Sequence, residues 1–188
     1  VMAMMVFSLA AYGQILSSDE KKIIEYIDRH LTEQIGMIET MVNIESPTED
    51  LAGVRKVGEL YRKELESLGM KTTWIDLPPE LKRAGHLVAE STGTRGKRLL
   101  LLGHLDTVLR GEPYKLDGTR AFGTGVGDMK GGNLIIIQAL KALQAVGALK
   151  DTRIIVMFTG DEEDTADPIE ISRRDMVSAA KRSDAALS

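Results

Sequence analysis

Residues 98–106 read RLLLLGHLD, and this stretch decides the fold class of the 188-residue chain. Its four consecutive leucines predict a strand that is covered on both faces, which is typical of parallel sheets. A second apolar run extends from Ile154 to Phe158, and a helical pattern over 133–146 lies between the two runs. Strands that alternate with helices predict an α/β domain with a largely parallel sheet. In such sheets, ligands bind outside the carboxyl ends of the strands.

The remaining segments extend this α/β pattern on both sides. Ser17 and Glu20 form a predicted capping box that opens a long helix through about Asn43. Apolar residues recur along this helix at three- and four-residue steps, so we expect a stripe that faces the core. The stripe comprises Ile23, Ile24, Ile27, Leu31, Ile35, Ile38 and Met41. Further predicted elements are a helix over 53–68 that ends at Gly69, strands over 70–77, 86–91 and 153–159, a helix over 172–182 and the start of a strand at 185–187.

Three polar clusters stand out. One follows each of the two apolar runs, and the third comes directly before the helix that lies between the runs. The clusters are His104-Leu105-Asp106, residues 127–132 with Asp128, and residues 160–163 with Glu162 and Glu163. An imidazole and several carboxylates in a chain with no cysteine suit a hard-to-borderline divalent ion, zinc above all. Each cluster also has an ordinary structural interpretation: a satisfied histidine at a strand end, an aspartate that caps a helix, and a solvated acidic loop.

Spacing within the clusters indicates how they could cooperate. His104 and Asp106 lie on the same side of an extended backbone, because side chains alternate along a strand. The carboxylate could then hydrogen-bond one ring nitrogen and orient the other toward a metal ion. Glu162 and Glu163 diverge as neighbours, so one carboxylate could bind the ion while the other holds and deprotonates its water.

Bulk composition and the glycine-rich loop argue against two other classes of ligand. The net charge is −4 and the basic residues are scattered, whereas proteins that bind nucleic acid normally show a basic stripe. The loop over 123–127 could suggest nucleotide binding, but its third glycine is displaced from the dinucleotide fingerprint. No Ser or Thr follows Lys130, as a Walker loop would require. An ATP- or NAD-binding protein remains a rival interpretation.

The first thirteen residues differ from everything that follows. Val1 precedes Met2, and residues 2–12 are nearly all apolar, so we interpret residues 1–13 as the remnant of an export signal. The run is too short for a stable membrane span. This interpretation predicts an exported protein, periplasmic or extracellular; the alternative is a buried start to the first helix in a cytoplasmic protein. The domain itself is expected over 18–188.

Three motifs in order resemble one enzyme family. Residues 103–108 (GHLDTV), 123–132 (GTGVGDMKGG) and 160–163 (GDEE) resemble the co-catalytic di-zinc exopeptidase and deacylase family. Its members include glutamate carboxypeptidase, acetylornithine deacetylase, succinyl-diaminopimelate desuccinylase and aminoacylase. The resemblance covers roughly residues 20–188, and residues 44–48 (IESPT) also look like the start of that family. It implies a three-layer α/β/α zinc-exopeptidase-like catalytic domain, of which this chain is the truncated amino-terminal part, without the lid and dimerisation domain.

The resemblance also implies a role for each site residue. His104 would ligate one zinc ion, and Asp106 would orient it. Asp128 would bridge two zinc ions. Glu162 would be the general base, and Glu163 would ligate the other zinc ion. The remaining ligands are expected beyond the last residue of the chain, so we predict weak metal binding and no turnover for the 188-residue piece.

For the complete protein, the resemblance implies a hydrolase that cleaves an amide or peptide bond next to a free carboxylate. Its substrates would be small peptides or N-acyl amino acids, its cofactor two Zn²⁺ ions with Co²⁺ or Mn²⁺ as alternatives, and its assembly a homodimer formed through the lid domain. Residues 171–174 (ISRR) after the third motif look closer to the glutamate carboxypeptidase branch. An N-acyl amino acid deacylase and a non-catalytic binding module on the same fold are the alternatives.

Overall fold

The computed structural model describes residues 16–108 and 110–188. The predicted export segment over 1–13 lies outside these residues. Within the described ranges, no helix is both long and apolar enough to cross a membrane.

Five helices and seven strands make up the described part of the chain. The helices are α1 (Ser18–Val42), α2 (Leu51–Ser67), α3 (Gly131–Ala145), the single turn α4 (Ile169–Ser172) and α5 (Arg174–Lys181). The strands are β1 (Lys71–Ile75), β2 (His86–Glu90), β3 (Arg95–His104), β4 (Lys115–Asp117), β5 (Arg120–Phe122), β6 (Thr152–Thr159) and β7 (Ala185–Leu187). A 3₁₀ turn covers Pro79–Leu81, and an irregular turn covers Val126–Lys130.

Five strands form the central sheet in the order β1-β2-β6-β3-β7. Strand β3 pairs in parallel with β6 on one side and with β7 on the other. Strand β2 runs antiparallel to both of its neighbours, β1 and β6. Four of the five strands therefore point the same way, which confirms the predicted largely parallel sheet.

Helices cover both faces of the sheet. On one face, Val57 and Tyr61 of α2 and Ile137 of α3 pack with alternate residues of β2 and β6, among them Phe158. On the other face, Met176 and Ala179 of α5 pack against Leu100, Ile155 and Met157. Because β3 and β6 are covered on both sides, their apolar runs are continuous. The three-layer α/β/α arrangement is confirmed.

One local prediction needs correction, and one pair of strands was not predicted. The apolar stripe of α1 is buried only at the carboxyl-terminal end of the helix, at Ile38 and Met41; Ile24, Ile27 and Leu31 are 45%, 37% and 52% exposed. The amino-terminal half of α1 therefore packs against little of the described chain. The hairpin formed by β4 and β5 was not predicted, because its two strands have three residues each and little burial to impose a pattern.

Candidate metal centre

Two of the predicted motifs meet because their strands are neighbours. His104 at the end of β3 lies opposite Thr159 at the end of β6 in the parallel register. The Leu105 amide then donates to the Thr159 carbonyl at 2.7 Å, which continues the pairing into the loops. The loop that carries Glu162 and Glu163 therefore starts beside His104.

The His104 ring is held at both nitrogens. Its Nδ1 lies 3.0 Å from the Asp106 carbonyl oxygen and 3.3 Å from Asp106 Oδ1. Its Nε2 lies 2.9 Å from Asp128 Oδ1 and 3.9 Å from Glu162 Oε2. The ring is 4% exposed, so burial and the Asp106 contacts leave Nε2 facing the carboxylates.

Asp106 is fully buried and links His104 to the loop of the two glutamates. Its Oδ2 accepts from the Thr48 hydroxyl at 2.7 Å and from the Glu163 amide at 3.0 Å. Its Oδ1 accepts from the Glu162 amide at 3.1 Å. The expected orienting role toward His104 is thus accompanied by direct support of the backbone at the two glutamates.

Asp128 reaches the site from an irregular turn before α3. Gly123 and Gly125 adopt positive φ angles of 138° and 77°, which favour glycine and let the chain reverse tightly. Asp128 itself has an extended backbone, with φ of −123° and ψ of 100°. Behind it, Lys130 is buried and its ammonium donates to the Ile44 carbonyl at 2.7 Å.

Distances within the cluster fit a divalent metal ion. One ligand atom each from His104, Glu162 and Glu163 lie within 4.8 Å of one another. Two ligands of a tetrahedral zinc ion with bonds of about 2.1 Å lie roughly 3.4 Å apart. The 3.9 Å between His104 Nε2 and Glu162 Oε2 is close to that separation, whereas the 2.9 Å between His104 Nε2 and Asp128 Oδ1 is a hydrogen-bond length. The structure thus brings the five predicted residues together. The three with the donor types and spacing of a metal site are His104, Glu162 and Glu163, a set that differs from the predicted ligands by having Glu162 in place of Asp128.

The pKa shifts of the site residues also favour the binding of a cation. Burial opposes protonation of His104, but the hydrogen bonds to Asp106 and Asp128 and the neighbouring charges outweigh burial and raise its pKa to about 9. For Asp106, burial is likewise outweighed by its hydrogen bonds, so its pKa lies below the ordinary value. Burial and the charges of Asp128 and Glu162 raise the pKa of Glu163. The site therefore holds an excess of negative charge that a cation would relieve.

Two supporting residues were not predicted as part of the site. Thr48, buried, donates to Asp106 from a segment 58 residues earlier. Asn133, in the first turn of α3, donates from Nδ2 to the His104 carbonyl at 2.6 Å. The only sequence signal for Thr48 was the family-like segment 44–48, and Asn133 was visible only as the start of a helix.

Fold and site together define a class: an α/β/α domain whose sheet carries a group of histidine and carboxylate side chains with the spacing to hold a divalent metal ion. The model of Peptidase family M20/M25/M40 matches residues 100–187 of this chain. Carboxypeptidase G2 of Pseudomonas sp. (strain RS-16) is 37% identical over 139 residues, which cover 69% of this chain and 32% of that protein. Acetylornithine deacetylase of Pasteurella multocida (strain Pm70) is 37% identical over 120 residues, 59% of this chain and 30% of the relative.

Solved structures show the same fold. The structure of human carnosine dipeptidase 1 superimposes with a TM-score of 0.75 at 20% identity, covering 88% of this chain and 40% of that one. The match to the model of peptidase family M20/M25/M40 and the two curated relatives confirm the resemblance seen in the motifs. The chain spans about a third of the length of the curated relatives it matches.

Proposed function

We propose that the whole protein is a metal-dependent hydrolase that cleaves an amide or peptide bond next to a free carboxylate, as a glutamate carboxypeptidase does. The observation that carries this proposal is the position of Glu162. Its carboxylate lies 3.9 Å from His104 Nε2, within the metal-binding group, while its side chain is 56% exposed to the solvent from which substrate arrives. A carboxylate so placed can exchange protons with water and substrate.

The cofactor that suits these residues is a pair of divalent ions, with Zn²⁺ first and Co²⁺ or Mn²⁺ as alternatives. His104, Asp128 and Glu163 would hold them, and other residues of the whole protein would supply further ligands. When bound, the ions would lower the pKa of water toward ~7 and polarise the scissile carbonyl. The buried Asp106 keeps the Nδ1 proton of His104 in place and so presents Nε2 as a ligand atom.

Glu162 performs the proton transfers in this proposal. Its carboxylate accepts a proton from the attacking water and then donates that proton to the nitrogen of the leaving amine. The Asp106 contact to the Glu162 amide fixes the backbone from which the carboxylate reaches both positions. Removal of such a base typically costs ~10²–10⁴-fold in turnover.

The test is release of amino acids by the whole protein from a panel of dipeptides and N-acyl amino acids, with and without chelator. Chelator-sensitive release supports a metallohydrolase, and the preferred substrate separates a carboxypeptidase from an N-acyl amino acid deacylase. The likeness to acetylornithine deacetylase keeps that second activity in the panel. Absence of release from every substrate with zinc supplied would favour a non-catalytic binding module.

A pair of variants in one loop tests the role of Glu162. We expect Glu162→Gln to retain bound metal and to lose ~10²–10⁴-fold in kcat, because the amide cannot accept the proton. Asp164→Asn is the matched control, since Asp164 is 71% exposed and pairs with Arg83 instead of the site. Equal turnover of the Glu162 variant and this control would remove Glu162 from the mechanism.

A further inference from the structure

The loop after β6 places neighbouring carboxylates in opposite environments. Asp161 is fully buried, whereas the side chain of Glu162 is 56% exposed. Asp161 Oδ2 accepts from the Ala166 amide at 3.2 Å and from the Ser172 hydroxyl at 2.5 Å. Asp161 therefore serves the interior of the loop and is unavailable to the metal centre.

Arg173 contacts this loop at several points. Its Nη1 donates to Asp161 Oδ1 at 2.6 Å, and its Nη2 donates to the Asp161 carbonyl at 2.9 Å and to Thr165 Oγ1 at 2.5 Å. The guanidinium is 15% exposed, so water competes little for these bonds. One planar group thus holds the Asp161 backbone before the two glutamates and the Thr165 side chain after them.

A buried histidine holds the base of the same loop. The Gly160 amide donates to His86 Nδ1 at 3.3 Å, so the ring proton lies on Nε2, which donates to the Ser172 carbonyl at 3.0 Å. Burial lowers the pKa of His86, in agreement with a neutral ring. The charge of Asp161 also acts on His86 in the fold. The loop is thereby anchored at its first residue and at the helix that follows.

We infer that Arg173, acting through Asp161, is a positioning residue that sets Glu162 and Glu163 at metal-binding distance from His104. This inference rests on the proposed function. Arg173 touches none of the predicted ligands, so its effect must pass through the loop backbone. The two glutamate amides are held by Asp106 on one side of the loop, and Arg173 supplies the hold on the other.

Arg173 has a matched control in the next residue. The Arg174 side chain is 63% exposed and pairs only with its neighbour Asp175, at 3.3 Å, among the described residues. Arg→Lys keeps the charge and removes the planar fork of donors. Arg173→Lys should therefore loosen the loop, and Arg174→Lys should not. Thr165→Val removes one acceptor of Arg173 without burying an unpaired charge. This variant tests the same contacts if Arg173→Lys does not fold.

The experiment compares the wild-type whole protein with these three variants. Hydrogen exchange of the amides over 161–166 is measured without metal, and the Co²⁺ dissociation constant and absorption spectrum are measured with it. We expect Arg173→Lys to speed exchange at least tenfold, to weaken Co²⁺ binding by ~10–100-fold and to alter the spectrum at saturation. Thr165→Val should show smaller changes of the same kind. In turnover, kcat should fall more than KM changes.

The outcomes separate the inference from the proposed function. Failure of wild-type protein to bind Co²⁺ and to hydrolyse any substrate overturns the proposed function. Metal binding by wild type, with Arg173→Lys matching Arg174→Lys in exchange and spectrum, overturns the positioning role alone. A variant that merely loses thermal stability but keeps the wild-type Co²⁺ spectrum and kcat also overturns it, since a purely structural residue would behave so.

Discussion

Asp106→Asn should destabilise the metal-free protein far more than a single surface substitution does. The carboxylate is fully buried, and each of its oxygens accepts a backbone amide, from Glu162 at one oxygen and from Glu163 at the other. Asparagine has only one acceptor oxygen. Whichever way its amide group turns, one of the two backbone N–H groups must face another donor.

The magnitude follows from the contacts that are lost. A hydrogen bond to a charged group contributes about 1.5–3 kcal/mol, and a buried donor left without an acceptor costs about 1–3 kcal/mol. Asp106 also faces protonated His104 at 3.3 Å, and that attraction disappears with the charge. The Thr48 hydroxyl can rotate to accept a hydrogen bond from the new amide group, so its contact adds little to the loss of folding free energy. We therefore expect a loss of about 3–5 kcal/mol, a large part of the ~5–15 kcal/mol that holds a domain folded.

Equilibrium unfolding in urea measures this loss. With a slope of about 2 kcal/mol per molar, the midpoint should fall by roughly 2 M while the slope stays constant. Asp117→Asn in the exposed hairpin is the control and should shift the midpoint little, because Asp117 is exposed. A change for Asp106→Asn of under about 1 kcal/mol would refute the reasoning that the buried carboxylate organises the two glutamate amides.

Two further predictions test the site from other directions. Gly103→Ala should destabilise the protein and weaken metal binding, because a Cβ there would overlap Asn133 Oδ1 and displace the amide that holds the His104 carbonyl. Gly36→Ala is the control, since a Cβ at this helical position meets nothing within 4 Å. It should stabilise the protein by about 0.5–1 kcal/mol in the same urea unfolding experiment. The raised His104 pKa, about 9 against an ordinary 6.5, means that its stabilisation of the metal-free fold is complete below about pH 6.5 and is lost as the pH rises through about 9. Co²⁺ affinity should run the opposite way and increase toward pH 9, because the ion must displace that proton; a flat affinity profile from pH 6 to 9 would contradict it.

Sequence could predict the features that depend on local pattern. The apolar runs at 98–103 and 153–159 identified the two central strands, because strands covered on both faces need no polar residues. Once those strands were placed side by side, the rule that ligands lie at carboxyl ends brought His104 and the two glutamates together. Their cluster was therefore predictable without any knowledge of side-chain positions.

Contacts between distant segments were not predictable in this way. Thr48 meets Asp106 across 58 residues, and Arg173 meets Asp161 across 12, and in neither case does the local pattern show which partner a polar residue will find. The prediction that the whole apolar stripe of α1 faces the core was wrong for a related reason. Helical periodicity shows which side of a helix is apolar, but not whether another element lies against it over the whole length.

The distribution of counter-charges explains why one acidic loop can serve both the fold and a metal. Asp106 and Asp161 are the buried acids. His104 balances the charge of Asp106, to which Thr48 donates a hydrogen bond, and Arg173 balances the charge of Asp161. Glu162 and Asp128 are the exposed acids that face His104, and His104 is the only basic side chain within 4 Å of either across residues 16–108 and 110–188.

One imidazolium cannot balance those carboxylates together with Glu163, whose pKa is already raised by burial and by its acidic neighbours. The buried acids therefore fix the geometry at the stability cost of their own desolvation. The exposed acids keep a negative charge that a bound cation would balance. A metal ion entering this site would then find its ligands already positioned, so its binding free energy is not spent on ordering the loop.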